Sequence, residues 1–70
     1  MAITGAALQA QLGTNPMNAQ VVREYGVTGT LQTWTVVGLG SAAGRTRNVA
    51  TTAADDAATQ AAAILTALAA

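Results

Sequence analysis

The sequence predicts an α+β fold: a short N-terminal helix, an antiparallel sheet of two or three strands, and an Ala-rich C-terminal helix. Apolar residues recur every three to four positions near both ends of the chain, and residues alternate in character along its middle. β-branched residues and the one tryptophan, Trp34, concentrate in that middle part. A chain of 70 residues is long enough for one small domain, so we predict a single domain over residues 1–70.

The first predicted helix covers residues 3–12. Its large apolar side chains, which include Leu8 and Leu12, follow helical spacing. Thr4 is a candidate N-cap, and Gly13 stands where a left-handed residue often ends a helix. Because so short a helix is barely stable alone, it must be held by packing.

Three ranges have the alternation or the β-branched content of strands. They are residues 19–25, 30–39 and, as an edge strand that the pattern leaves open, 45–50. In the second range Trp34 and Val36 share one face, whereas Val37 and Leu39 lie on the other. The glycines within residues 26–29 favour a turn between the first two strands, because glycine adopts positive φ readily.

The second predicted helix covers residues 52–68. Thr52 is its candidate N-cap, and Asp55 three residues later completes an arrangement similar to a capping box. The apolar stripe of this helix begins with alanines only. Its members are Ala54, Ala57, Ala58, Ala61, Ile64, Leu65 and Leu68. The opposite face, which includes Gln60, is weakly polar, so we expect that face to contact something as well.

The predicted core consists of the large apolar side chains of the sheet and the second helix. They are Val21, Tyr25, Leu31, Trp34, Val36, Ile64, Leu65 and Leu68. Alternation alone leaves open which face of the sheet is inward. If Trp34 points inward, Val37 and Leu39 lie on an apolar face that is exposed in a monomer. Exposed faces of this kind usually mark contact sites.

Charge is scarce and balanced in this chain. Charged residues make up 9% of the sequence, whereas an average soluble domain has about 25%. Three basic residues offset three acidic ones, so the formal net charge is zero. Because a neutral surface with few charges promotes association, we predict a protein that is covered by neighbours.

The residue types that carry most catalysis and metal binding are missing from the sequence, which has no cysteine, no histidine and no lysine. Its acids are Glu24, Asp55 and Asp56. The last two would diverge by about 100° on a helix, so they could not share a proton. The glycine-rich run at residues 38–44 lacks the βαβ unit of a dinucleotide site. We predict no enzyme activity, no metal and no cofactor.

Neither a membrane span nor a secretion signal is predicted. The sequence contains no run of apolar residues of the length, about 18 or more, that a transmembrane helix needs. Residues 1–4 lack the basic start of a signal peptide. These patterns disfavour a membrane partner.

The order of elements resembles that of the double-stranded-RNA-binding domain. Residues 38–41 (GLGS) look like that family's Gly-rich approach to its last helix, and residues 61–68 look like the Ala-rich end of that helix. The resemblance covers nearly the whole chain and implies an α-β-β-β-α fold. The family binds RNA through a serine and paired lysines, where this chain has residues 52–54 (TAA) followed by Asp55 and Asp56. The resemblance therefore assigns no RNA-binding residue to this chain.

We predict a non-enzymatic structural or assembly protein that works in repeated copies. Its small size, low charge and Ala/Thr richness are similar to those of small phage accessory proteins, such as capsid cement or tail proteins, and a virion is the location this suggests. The predicted partners are other copies of the chain or a larger protein assembly. The interface candidates are Arg23, Val37, Leu39, Arg45 and Arg47. The alternative is a small nucleic-acid-binding module with contacts at Arg45 and Arg47, which a neutral chain disfavours.

Overall fold

The computed structural model describes residues 3–14, 18–41 and 43–69 and has the predicted α+β fold. Its elements are α1 (Gly5–Gly13), β1 (Ala19–Thr28), β2 (Leu31–Gly38), β3 (Thr46–Thr52) and α2 (Ala57–Ala69). The range that the sequence left open, residues 45–50, contributes to a third strand. The predicted fold class, α-β-β-β-α, is therefore confirmed.

The sheet is antiparallel, with β2 between the two edge strands β1 and β3. β1 runs to Thr28, past the predicted end at residue 25, so the turn reduces to Gly29 and Thr30. Gly29 has φ +63°, which suits a two-residue hairpin turn. Gly26, with φ +78°, lies inside β1 where the register with β2 shifts, so it forms a bulge rather than a turn.

Helix α1 begins as the sequence predicts and ends differently. The Thr4 hydroxyl accepts a hydrogen bond from the N–H of Ala7 at 3.1 Å, so Thr4 is the N-cap. Gly13 is the last helical residue, and Thr14 is the C-cap, with φ −86°. The predicted left-handed conformation of Gly13 is wrong. The Thr14 hydroxyl instead donates to the carbonyl of Gln11 at 2.9 Å and satisfies one terminal acceptor.

Helix α2 begins at Ala57, five residues later than predicted. β3 pairs with β2 as far as Thr52, and the N–H of Ala53 donates to the carbonyl of Thr30 at 2.9 Å. The ladder therefore takes Thr52 itself, and the predicted cap at this residue is wrong. Asp56 caps the helix instead, since its Oδ1 accepts from the N–H of Thr59 at 2.8 Å.

The Asp56 cap predicts an acid-sensitive contribution to stability. Hydrogen bonds from the side chain and then from the backbone N–H of Thr59 lower the pKa of Asp56 below its ordinary value. The ionised carboxylate therefore stabilises the fold above the unfolded pKa of about 3.9, and this contribution is lost as the pH falls through the lowered value. Asn is also a good N-cap, but it does not titrate.

We expect thermal unfolding followed by circular dichroism to show this difference between the wild type and Asp56→Asn. The wild type is expected to lose stability relative to the variant between pH 5 and pH 3. The two proteins differ at this one side chain, so pH effects that they share cancel in the comparison. A difference in Tm that does not change with pH over this range would contradict the assignment of the cap.

Both helices pack on the same face of the sheet, and the core lies between the helices and that face. The large apolar side chains that are fully buried come from α1, β2 and α2. They are Leu8, Leu12, Trp34, Val36, Ile64 and Leu68. Val21 and Leu65 of the predicted core are only partly buried. Tyr25 and Leu31 are 46% and 48% exposed, so their placement in the core is wrong.

A polar cluster lies inside this apolar core. The indole N–H of Trp34 donates to Thr51 Oγ1 at 3.0 Å and lies 3.3 Å from Gln60 Oε1. Thr51 Oγ1 is within 2.8 Å of the carbonyl of Gln32 and 2.6 Å of Gln60 Oε1. Gln60 Nε2 donates to the carbonyl of Asp55 at 3.0 Å. Gln60 is fully buried, so its predicted place on the outward side of the helix is wrong.

Candidate functional site

None of the residues that the structure describes covers the side of the sheet away from the helices, and we call that side the outer face. Gln32, Trp34 and Val36 of β2 point toward the helices, so the residues that alternate with them point away. The register extends this alternation to both neighbouring strands. The outer face comprises Gln20, Arg23, Tyr25, Thr28, Leu31, Thr33, Thr35, Val37, Thr46, Asn48, Ala50 and Thr52.

A chain of polar contacts crosses the outer face from β1 to β3. The hydroxyl groups of Tyr25 and Thr35 are hydrogen-bonded at 2.9 Å. Thr35 also donates to Asn48 Oδ1 at 2.7 Å, so the Tyr25 hydroxyl donates to Thr35. The guanidinium carbon of Arg23 lies 4.7 Å from the centre of the Tyr25 ring, within the range of a cation–π contact. These contacts order the central side chains of the face before any partner binds.

The outer face is nearly neutral and mixes hydroxyl with apolar groups. Among the residues just defined, all within the described part of the chain, Arg23 alone carries a charge. Leu31 is 48% exposed at one end of the face, and Val37 is half-buried near the other. Interfaces between proteins are rich in Tyr and Arg and poor in other charged residues at their centre. The composition of the outer face therefore fits a protein partner.

The five predicted interface residues do not form one surface. Arg23 and Val37 lie on the outer face, whereas Leu39 lies just past the end of β2 and is 48% exposed. Arg45 precedes β3, and its Nη1 donates to the carbonyl of Leu68 near the end of α2. A cation there interacts favourably with the helix dipole.

The three arginines are not gathered into a basic patch. Arg47 is paired in register with inward-facing Val36, and its Nη1 donates to the carbonyl of Thr46 at 3.0 Å. Arg23 lies on the opposite edge strand and on the opposite face of the sheet. The geometry therefore keeps Arg23 apart from the other two arginines, so the three cations form no single surface for a phosphate backbone.

A groove of about 490 Å³ runs between α1 and the edge of β1. It is lined by Gly5, Ala6, Gln9, Gly13, Asn18, Gln20, Val21, Glu24 and Leu39. The side-chain amide of Gln9 donates to the carbonyl of Ala19 and accepts from the N–H of Val21, both at 2.8 Å. One glutamine thus supplies the two bonds that a neighbouring strand would make, and it closes this part of the edge of β1.

Most of the polar side chains described along the groove already contact other parts of the fold. Both ends of the Gln9 side-chain amide are hydrogen-bonded to β1. The carboxylate of Glu24 lies against Gly5, within 2.8 Å of where a β-carbon would stand on that residue. Asn18 Oδ1 is buried without a hydrogen-bond partner among the described residues. The outer face spans all three strands of the sheet, so it is the candidate site.

Sequence reasoning missed the roles of Gln9, Thr35 and Asn48. Alternation placed Thr35 with Val37, so its face could be predicted, but the bonds to Tyr25 and Asn48 depend on the register of three strands. Gln9 has no signal of its own in the sequence, since many exposed helical positions carry glutamine. Its role appears only when α1 lies along β1.

The described residues contain no group of three or more acidic, histidine or cysteine side chains that could hold a metal ion. Neither α1 nor α2 has the length and the hydropathy of a membrane-spanning helix. The chain matches no known protein family, no curated protein and no solved structure. The fold and the surface therefore define its class: a small α+β protein with one uncovered sheet face.

Proposed function

We propose that this chain is a non-enzymatic structural protein that works in repeated copies as a small component of a larger assembly. The observation that supports the proposal best is the outer face, which spans all three strands and carries one charge. Other copies of the chain are the partners that we propose for it. The buried surface that a 70-residue chain provides alone is small, and association is a common way to add to it.

A more specific role is as an accessory protein of a phage particle, such as capsid cement or a small tail protein. Low charge, high alanine and threonine content and small size support this proposal. A face of threonine hydroxyls and aliphatic side chains suits packing against a protein lattice, because it can be covered without burying several charges.

The proposal predicts that a charge placed on the outer face disrupts assembly. Val37→Lys adds an ammonium group to a half-buried position of that face, so a partner packed there would have to bury an unpaired charge. We expect light scattering coupled to size exclusion to give a mass above 6.9 kDa for the wild type. The variant is expected to give a lower mass than the wild type at equal concentration.

Ala62→Lys is the matched control, because Ala62 is exposed on α2 and the substitution adds the same charge on the helical side of the molecule. The control is expected to assemble like the wild type. Circular dichroism of all three proteins would show whether Val37→Lys remains folded. A wild type that is a folded monomer up to millimolar concentration would contradict the proposal, as would equal losses of assembly in both variants.

A further inference from the structure

The two edges of the sheet are unequal. The edge of β1 is partly closed by the amide of Gln9, and β1 is broken by register shifts between Val21 and Arg23 and between Glu24 and Val27. Natural proteins use coverage and bulges of this kind to keep edge strands from pairing with other chains. β3 has no bulge among its described residues, because it pairs with β2 over Thr46–Thr52 without a shift.

The backbone groups at the free edge of β3 can be assigned from the ladder. Gly38 N–H donates to the carbonyl of Arg45 at one end, and Ala53 N–H donates to the carbonyl of Thr30 at the other, both at 2.9 Å. Hydrogen-bonded pairs alternate along an antiparallel ladder. The odd-numbered residues of β3 therefore bond to β2, and the even-numbered ones point away from the sheet.

The even-numbered residues are Thr46, Asn48, Ala50 and Thr52, and all four are exposed. Two of their carbonyls are engaged locally, that of Thr46 by the Arg47 guanidinium and that of Thr52 by the N–H of Asp55. No bond is made by the N–H or the carbonyl of Asn48 and Ala50 to other described residues. The middle of the edge can therefore form backbone hydrogen bonds with another strand.

We propose that β3 pairs in antiparallel fashion with β3 of a second copy, which joins two sheets into one of six strands. The inference rests on the proposed function, since it names the edge through which repeated copies meet. One register pairs all the N–H and carbonyl groups of β3 that point away from β2. In this register Asn48 pairs with the second copy's Ala50, and Thr46 pairs with its Thr52. Val49 then lies opposite its own counterpart on the helical side of the sheet.

The charges near β3 fit the antiparallel arrangement and oppose the parallel one. Arg45 and Arg47 lie at the N-terminal end of the strand, and Asp55 and Asp56 follow its C-terminal end. Antiparallel pairing about a twofold axis places the basic end of each copy beside the acidic end of the other. Parallel pairing would place arginine beside arginine. The pairing also makes two outer faces continuous, which doubles the surface available to a larger assembly.

The test is Ala50→Pro, which removes a single edge donor. Because the N–H of Ala50 points away from β2, proline there leaves the ladder of β2 and β3 intact, and proline is tolerated on edge strands in that orientation. By symmetry the substitution removes two hydrogen bonds from the dimer, and the ring obstructs the edge. We expect the dimer Kd to rise by about 10-fold or more. Ala50→Val is the matched control, which keeps the N–H and is expected to retain the dimer.

Amide exchange in the wild type tests the pairing without any variant. As protein concentration increases, exchange is expected to slow at Asn48 and Ala50, whereas Val49, bonded to β2, remains protected throughout. Concentration-independent exchange at Asn48 and Ala50, or an unchanged Kd in folded Ala50→Pro, would overturn edge pairing. If the wild type still assembles and Val37→Lys abolishes that assembly, the proposed function stands and only the edge pairing fails.

Discussion

Replacing Trp34 with alanine is expected to leave little folded protein at 25 °C. The Trp34 side chain is fully buried and is the largest in the core. Truncation of a buried Phe or Trp to alanine typically destabilises a protein by about 3–5 kcal/mol. The core of so small a domain rarely supplies more than about 3–5 kcal/mol in total. The expected loss therefore equals the whole stability of a monomer.

Urea unfolding followed by far-UV circular dichroism measures this effect. Trp34→Phe is the control, because it keeps an aromatic ring in the core but loses the indole N–H that bonds to Thr51 and Gln60. We expect the phenylalanine variant to fold with a loss of about 1–3 kcal/mol. If Trp34→Ala unfolded at nearly the wild-type urea concentration, the core would not depend on this side chain as we describe.

Replacing Gln60 with leucine is expected to destabilise the protein by about 1–3 kcal/mol, although it makes the core more apolar. The Gln60 amide joins the start of α2 to the sheet through its contacts with Trp34, Thr51 and the carbonyl of Asp55. Leucine fills a similar volume and leaves the Asp55 carbonyl without that donor. The same substitution at Gln11, which is exposed on α1, is the control and is expected to change stability by less than about 0.5 kcal/mol.

A double-mutant cycle with Thr51→Val distinguishes a network from separate hydrogen bonds. Thr51 Oγ1 and Gln60 Oε1 lie 2.6 Å apart, so loss of either one alters the surroundings of the other. We expect the two substitutions together to cost less than the sum of their separate effects, with a coupling of about 0.5 kcal/mol or more. Additive effects within measurement error would show that the two side chains act independently.

The candidate surface was predictable in part. Alternation in β2 placed Val37 on the face opposite Trp34, and the outer face does lie there. Tyr25 was assigned to the core because aromatic residues in strands are commonly buried. In the structure it stacks with Arg23 and bonds to Thr35 on the open side of the sheet. The register shift between Val21 and Arg23 puts Tyr25 on the face opposite Val21, and sequence alternation cannot show such a shift.

The start of α2 was also predicted wrongly, because it depends on contacts that are distant in sequence. Residues 52–56 have good helix-start chemistry, and locally that chemistry favours a helix that begins at Thr52. Pairing with β2 competes for the same residues and extends β3 to Thr52. The helix then starts at an acceptor four residues later, the carboxylate of Asp56. A long-range ladder that satisfies several backbone groups together outweighs one local cap.

The helix at each end, the first two strands and the cap at Thr4 were predictable from the sequence, because they depend on local spacing and on the hydrophobicity of single side chains. Tertiary contacts are needed to bury Gln60, to let Gln9 close part of the β1 edge, and to leave the middle of the β3 edge open. Each of these features depends on backbone groups that are far apart in sequence. Their hydrogen bonds exist only once the strands are in register and the helices lie on the sheet.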